Sequence, residues 1–335
     1  MQRMFFLIAI LLLISCEENE PQFKILRGEA FGTTYSIQYY SSASFSAERG
    51  IDSVIHAVNK SVSTYMPNSD ISKINRGDST LVVDAIFKDV FNISETVFTN
   101  SLGYFDPTIG VLRNAYGFGD VRPLHTIDKK AVDSLMQFVG FRKVFISKEN
   151  RVVKEKPEIY FDFNAVAKGY GIDCIGRYLE LQGVSNYLIE LGGELLAKGT
   201  NRNKNKLWVV GIESVGSNME DRAFSKAISL TDKGMASSGN YRKFRTDPIS
   251  GKKYVHTINP LTGSAEQSDV TSATVVAASC GLADAYATAF MALGLEKSRE
   301  LLRITEGVEA YLTHNDSLNV QQVFMTDGFA NLLVN

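Results

Sequence analysis

One segment restricts the fold more than any other. Leu282–Leu293 has helical spacing and is apolar on nearly every face, built from Ala, Leu, Tyr, Phe and Met around a single acid, Asp284. A helix apolar all round belongs inside a core, so other layers have to enclose it. The rest of the chain supplies them. Phe23–Leu26, Thr33–Tyr40, Lys143–Ser147, Val152–Val153, Ile159–Phe161, Tyr187–Leu191, Leu195–Gly199, Trp208–Ile212, Ala227–Leu230, Gly234–Phe244, Tyr254–Ile258, Thr271–Ala277, Val308–Thr313 and Val320–Met325 read as strands. Ala47–Val62, Val83–Ser101, Lys129–Phe138, Ala165–Leu181 and Ser298–Ile304 read as helices, and Gly103–Gly119 as a loop. Strands and helices mix without strict alternation. The expected fold class is therefore α+β, with layered mixed or antiparallel sheets and packed helices, rather than a doubly wound sheet.

A net charge of −2 over 335 residues gives no basis for a nucleic-acid partner. No dinucleotide or P-loop glycine fingerprint is present, so a bound nucleotide needs another device for its phosphates. Cys16, Cys174 and Cys280 show no metal-ligand spacing. The last two read as small core residues, and the sequence leaves a disulfide between them open.

The N-terminus reads as an export signal. Arg3 precedes the apolar run Phe5 to Ile14, which is too short to span a bilayer and ends at Leu13-Ile14-Ser15-Cys16 before acidic residues. A small residue before a cysteine that closes such a run resembles a bacterial lipobox, in which the cysteine is acylated. The expected organisation is a lipoprotein signal peptide at 1–15, a lipid-anchored tether at 16–23 and one domain at 24–335. Acyl chains hold a protein on a membrane surface outside the cytoplasm without spanning it.

Asp284 and Thr288 lie four residues apart, on one face of the apolar helix. A buried carboxylate is costly unless it is paired or binds a cation, and no Lys or Arg lies within a helical turn. Two hard oxygens suit Mg²⁺, which commonly completes its shell with phosphates and water. The stretch alone equally admits a core Asp satisfied by backbone amides. Asp162-Phe-Asn-Ala165-Val-Ala-Lys168-Gly169 opens a helix, and a helix start attracts anions, although plain capping turns look the same. His256 ends a strand just before a turn, where functional groups often project. Tyr65 and the Phe105–Gly110 turn could wall a planar ligand, and Gly192-Gly193-Glu194 and Ser238-Gly239-Asn240-Tyr241 allow close backbone approach.

Taken in chain order with Gly32-Thr-Thr-Tyr35 and Ala283-Asp284-Ala-Tyr-Ala-Thr288-Ala, these segments resemble the ApbE family, the FAD:protein FMN transferases. The resemblance runs from about residue 24 to the C-terminus and implies one ApbE-like domain. It implies transfer of FMN from FAD to a Thr or Ser hydroxyl of acceptor flavoprotein subunits in membrane redox complexes, with release of AMP. The lipid anchor would hold the enzyme beside such acceptors. It also implies Mg²⁺ held by the side chains of Asp284 and Thr288 and the backbone carbonyl of Ala165. Tyr65, Asp106, Thr108, Asp162, Lys168 and Ile258 fall where the family contacts FAD. The family usually has Met where this chain has Phe31, whose ring can pack on flavin or adenine. His256 falls at a candidate catalytic histidine, positioned to take the acceptor proton; Asp284 is a rival base, though a metal-bound carboxylate is a poor one. Asn259 stands where Asp is usual. Thr271-Ser-Ala-Thr274 resembles part of the family's acceptor sequence but reads as a buried strand. An FAD pyrophosphatase or a non-enzymatic FAD-binding lipoprotein would use the same residues.

Overall fold

The computed structural model describes residues 20–124, 127–214, 223–240, 244–246 and 251–334. Cys16, the signal segment and Tyr241 lie outside these described residues.

The chain opens with a hairpin, β1 (Gln22–Ala30) and β2 (Thr33–Ser41). β1 takes in Gln22 and Phe23, read above as the end of the tether. Helices α1 (Glu48–Val62), α2 (Asp70–Asn75), α3 (Ala85–Asn100), α4 (Gly110–Tyr116) and α5 (Lys129–Met136) follow. Then come β3 (Val144–Ile146), β4 (Val152–Lys154), α6 (Ala167–Leu181), β5 (Tyr187–Leu191), β6 (Glu194–Lys198), β7 (Trp208–Glu213), β8 (Phe224–Leu230) and β9 (Lys233–Gly239). The chain ends with β10 (Phe244–Thr246), β11 (Lys253–Val255), β12 (Val270–Ala277), α7 (Cys280–Leu293), α8 (Leu295–Ile304), β13 (Glu309–Asn315), β14 (Gln321–Met325) and α9 (Asp327–Ala330).

Eight strands form one sheet in the order β1-β2-β5-β6-β9-β12-β13-β14, antiparallel at every neighbour. Alternate side chains of a strand face opposite sides, and both sides are covered here. On one face, Ala236 of β9 and Ala273 and Val275 of β12 join Tyr286, Phe290 and Met291 of α7, with α3 beyond. On the other, Met235 and Val276 pack with Trp208, Ile228 and Phe329. The α7 helix is thus enclosed as its composition demands, and the α+β layering is as expected. Among the described residues no helix is long and apolar enough to cross a bilayer. Cys174 and Cys280 are free thiols, not a disulfide.

Three local expectations fail. Gly234–Phe244 is not one strand: β9 ends at Gly239 before the turn at Asn240, and Phe244 begins β10, which pairs with β11 in a separate sheet. Gly103–Gly119 is not loop throughout: α4 lies inside it, ended by Gly117 at φ 81°. Ile159–Phe161 joins no sheet, because its backbone groups are satisfied elsewhere. Asn75 bonds both the N–H (2.8 Å) and the C=O (2.9 Å) of Phe161, and the Tyr160 carbonyl accepts from Gly110 N–H at 3.2 Å. This irregular segment leads straight into Asp162.

Candidate active site

The centre lies where the start of α6 crosses α7. Gly169 makes the crossing possible: a Cβ there would lie 2.5 Å from the Cys280 carbonyl oxygen and 2.9 Å from Asp284 Cβ. The Gly169 amide donates to Asp284 Oδ2 at 3.1 Å instead of completing a regular helical turn back to Ala165. The neighbouring amides of Ala167 and Tyr170 bond to Phe163 and Val166, and no described backbone amide pairs with the Ala165 carbonyl.

Asp284 is buried, and burial raises its carboxyl above the usual range, opposed by Lys168 and the Gly169 amide. Lys168 is mostly buried and its ammonium lies 2.6 Å from Glu194 Oε2. Burial works to lower the lysine, but Glu194 and Asp284 together hold it above its ordinary value. Glu194 is raised by burial, with Lys168 opposing and Asp284 adding. Two buried carboxylates therefore share one ammonium, a site short of positive charge. Thr288, one turn beyond Asp284, has its hydroxyl 3.5 Å from that of Ser238 on β9.

Asp162 lies in the segment that leads into α6. Its Oδ2 pairs with Arg113 of α4, and its Oδ1 accepts from Asn164 N–H at 2.8 Å. Arg113 is largely buried, which lowers its guanidinium pKa against the neighbouring Tyr65. Arg113 also donates to the Phe118 carbonyl at 2.8 Å. Tyr65 itself is 64% exposed, as a wall of an open site can be. His256 follows directly on β11, with its ring edge-on to Phe118 at 6.5 Å.

The Asp106 and Thr108 side chains are engaged within the protein. Asp106 Oδ1 accepts from the Thr108 amide (2.7 Å) and hydroxyl (2.6 Å), and Oδ2 from Phe141 N–H (3.0 Å). Thr108 in turn accepts from Gly140 N–H at 2.7 Å. Both side chains brace the loop before α4. The Ile258 side chain is buried with Leu112, Tyr116, Val139 and Ala265. Phe31 occupies the β1–β2 turn at φ 51°, followed by Gly32 at φ 77°, and its ring lies against Gly171 of α6.

These groups fit a hard cation. Among the described residues no cluster of three or more His, Cys, Asp or Glu could hold a metal. One carboxylate short of countercharge, a hydroxyl one turn on and a backbone carbonyl without an amide partner form an oxygen set of the type Mg²⁺ takes alongside phosphate.

The ApbE family model matches residues 31–312. The chain belongs to the ApbE family. Among its ApbE relatives, the FAD:protein FMN transferase of Vibrio cholerae is 33% identical over 298 residues, covering 87% of each chain. That of Haemophilus influenzae is 32% identical, covering 88% of this chain and 87% of the relative. The solved flavin transferase ApbE from Vibrio cholerae superposes with a TM-score of 0.82 at 29% identity, over 93% of this chain and all of that one. The apo flavinyl transferase ApbE of Pseudomonas stutzeri gives 0.81 at 25% identity, over 93% of this chain and 97% of that one.

Within this ApbE chain, several site groups escaped sequence reasoning. Arg113 meets Asp162 across 49 positions, which leaves no local pattern. Asp173 accepts from the Cys280 and Gly281 amides, both at 2.8 Å, and so caps α7 from α6. Its signal was present: an acid within the apolar stretch of α6 between Ile172 and Ile175, where every residue but Cys174 is buried.

Proposed function

We propose that this chain moves FMN from FAD to a Thr or Ser hydroxyl of an acceptor flavoprotein, with Mg²⁺ as cofactor and AMP as the other product. One observation carries the reading. In a chain whose relatives are FAD:protein FMN transferases, a buried carboxylate short of countercharge lies one helical turn from a hydroxyl and against a helix start.

Asp284, Thr288 and the Ala165 carbonyl would hold Mg²⁺, which when bound neutralises diphosphate charge. The chain's own groups do the rest. Tyr65 and Phe31 offer aromatic surface to the rings of FAD. Lys168, paired with Glu194, would shift to a phosphate oxygen. His256 takes the proton of the acceptor hydroxyl as its oxygen bonds to the FMN phosphorus. The P–O bond to the AMP phosphate then breaks, and AMP leaves with that oxygen. Charge placement and alignment dominate such a transfer.

We extend the proposal to the cell: acylation at Cys16 would hold the enzyme on the outer side of a membrane, beside acceptor subunits of redox complexes. Mass spectrometry of an acceptor domain incubated with enzyme, FAD and Mg²⁺ tests the activity, and covalent FMN on a Thr or Ser is the expected product. FMN released as fast without acceptor as with it would mark a pyrophosphatase, and FAD unchanged after long incubation a mere binder. Asp284→Ala should abolish turnover while weakening FAD binding much less. Normal Mg²⁺-dependent rates in that variant would remove the metal assignment.

A further inference from the structure

Asn240 is 3% exposed, and its side chain is held at one end only. Thr257 donates to its Oδ1 at 2.9 Å, whereas Nδ2 is buried without a hydrogen-bond partner among the described residues. A buried amide donor with nothing to bond is destabilising unless a partner arrives with a ligand.

Its position says which ligand. Along β9, Ala236 faces α7 while Met235 faces the opposite layer, so even-numbered residues point toward the helix that carries Asp284 and Thr288. Ser238 continues the series, with its hydroxyl 3.5 Å from that of Thr288. Asn240 comes two residues later, just past the end of the strand at Gly239. Its anchor, Thr257, lies between His256 and Ile258. Asn240 thus continues the strand whose Ser238 meets Thr288 and is bonded through Thr257 to the segment that carries His256, the two parts between which the proposed reaction would place the diphosphate.

Resting on that reading, we propose that Asn240 Nδ2 donates a hydrogen bond to a non-bridging phosphate oxygen of bound FAD, with Thr257 setting the orientation of the amide. Asn240 is then a substrate-positioning residue that supplies a neutral donor opposite the cation site.

The test compares FAD dissociation constants, by flavin fluorescence quenching with Mg²⁺ present, for the parent, Asn240→Ala and Asn240→Asp, with thermal midpoints alongside. Asn240→Ala should weaken FAD binding about tenfold with the midpoint held, as expected for one hydrogen bond to a charged group. Asn240→Asp should be weaker still, because its negative charge would face phosphate. Thr257→Val, which frees the amide without removing it, should show a smaller loss in the same direction and keeps the test open if Asn240→Asp does not fold. Unchanged binding in both Asn240 variants overturns the proposal. Equal losses for Ala and Asp overturn the phosphate assignment, and losses that track a falling midpoint make Asn240 structural. A parent protein that binds no FAD would instead sink the proposed function, so the two failures are separable.

Discussion

Arg113 and Asp162 show how much of the site depends on single pairings. Both side chains are largely buried and each is the other's countercharge. Removing one partner of such a pair leaves an uncompensated charge in a poorly solvated place. Arg113→Ala should therefore lower stability by about 3 kcal/mol, read as a shift in urea midpoint, and should loosen the Asp162–Asn164 turn ahead of α6. A loss under 1 kcal/mol would mean that water readily replaces the guanidinium. At this scale the sequence was legible wherever chemistry repeats at helical spacing. Asp284 and Thr288 stood out because a polar pair interrupts an apolar helix. Arg113 and Asn240 did not, since each meets its partner through tertiary structure alone. Asp106 and Thr108 matched a ligand motif in sequence, yet in space their oxygens serve the backbone of their own loop and of the Gly140–Phe141 turn.

The element that most needs holding is α7, and α6 holds it. Asp173 receives two amides at the α7 N-terminus, while Ser279 caps the Leu282 amide at 3.2 Å. Burial pushes the Asp173 carboxyl up to about 6, against the opposing pull of the Gly281 and Cys280 amides. The sign follows from that direction. A carboxyl whose folded value exceeds its unfolded one favours the protonated form in the fold, so its stabilising share is complete below about pH 4 and is lost as pH rises through about 6. Asp173→Asn cannot ionise but has one acceptor oxygen for the two amides, so it should be less stable than the parent at low pH, and that deficit should shrink as pH rises from 5 to 7, by at most about 3 kcal/mol. Thermal midpoints of the two proteins at both pH values provide the check, and a gap that ignores pH would show the carboxyl to be ordinary. Long elements with clean periodicity, such as α1, α3 and α7, were readable to within a few residues. Ile159–Phe161 was not, because an apolar triplet reads as strand whether its backbone partner is another strand or the side chain of Asn75.

Across the whole molecule, one antiparallel sheet with β1 at an edge ties the N-terminus to the site. Lys24 on β1 donates to the carbonyls of Ser42 (2.8 Å) and Ala43 (3.1 Å), fastening the edge strand to the chain that follows β2. Charged residues on an exposed edge also discourage pairing with other sheets. The strand that emerges from the proposed tether is thus secured to the domain. Cys16→Ser should move the protein from the membrane to the soluble fraction while FMN transfer in detergent-free solution continues. Retention of the variant in washed membranes would dismiss the lipid anchor. The layered class could be anticipated because a helix apolar on all sides admits few surroundings. The strand order could not, since pairings such as β2 with β5 join segments about 150 positions apart.

The Gly169–Asp284 contact has an effect beyond the two residues it joins. The same bond that orients the carboxylate also clamps two helices, and Asp173 clamps them again a turn away. Much of the ordering this centre requires is therefore completed when the chain folds, before any nucleotide arrives. In the proposed reaction, incoming FAD would meet a surface already assembled, and more of its binding energy would remain for straining the bond to be broken.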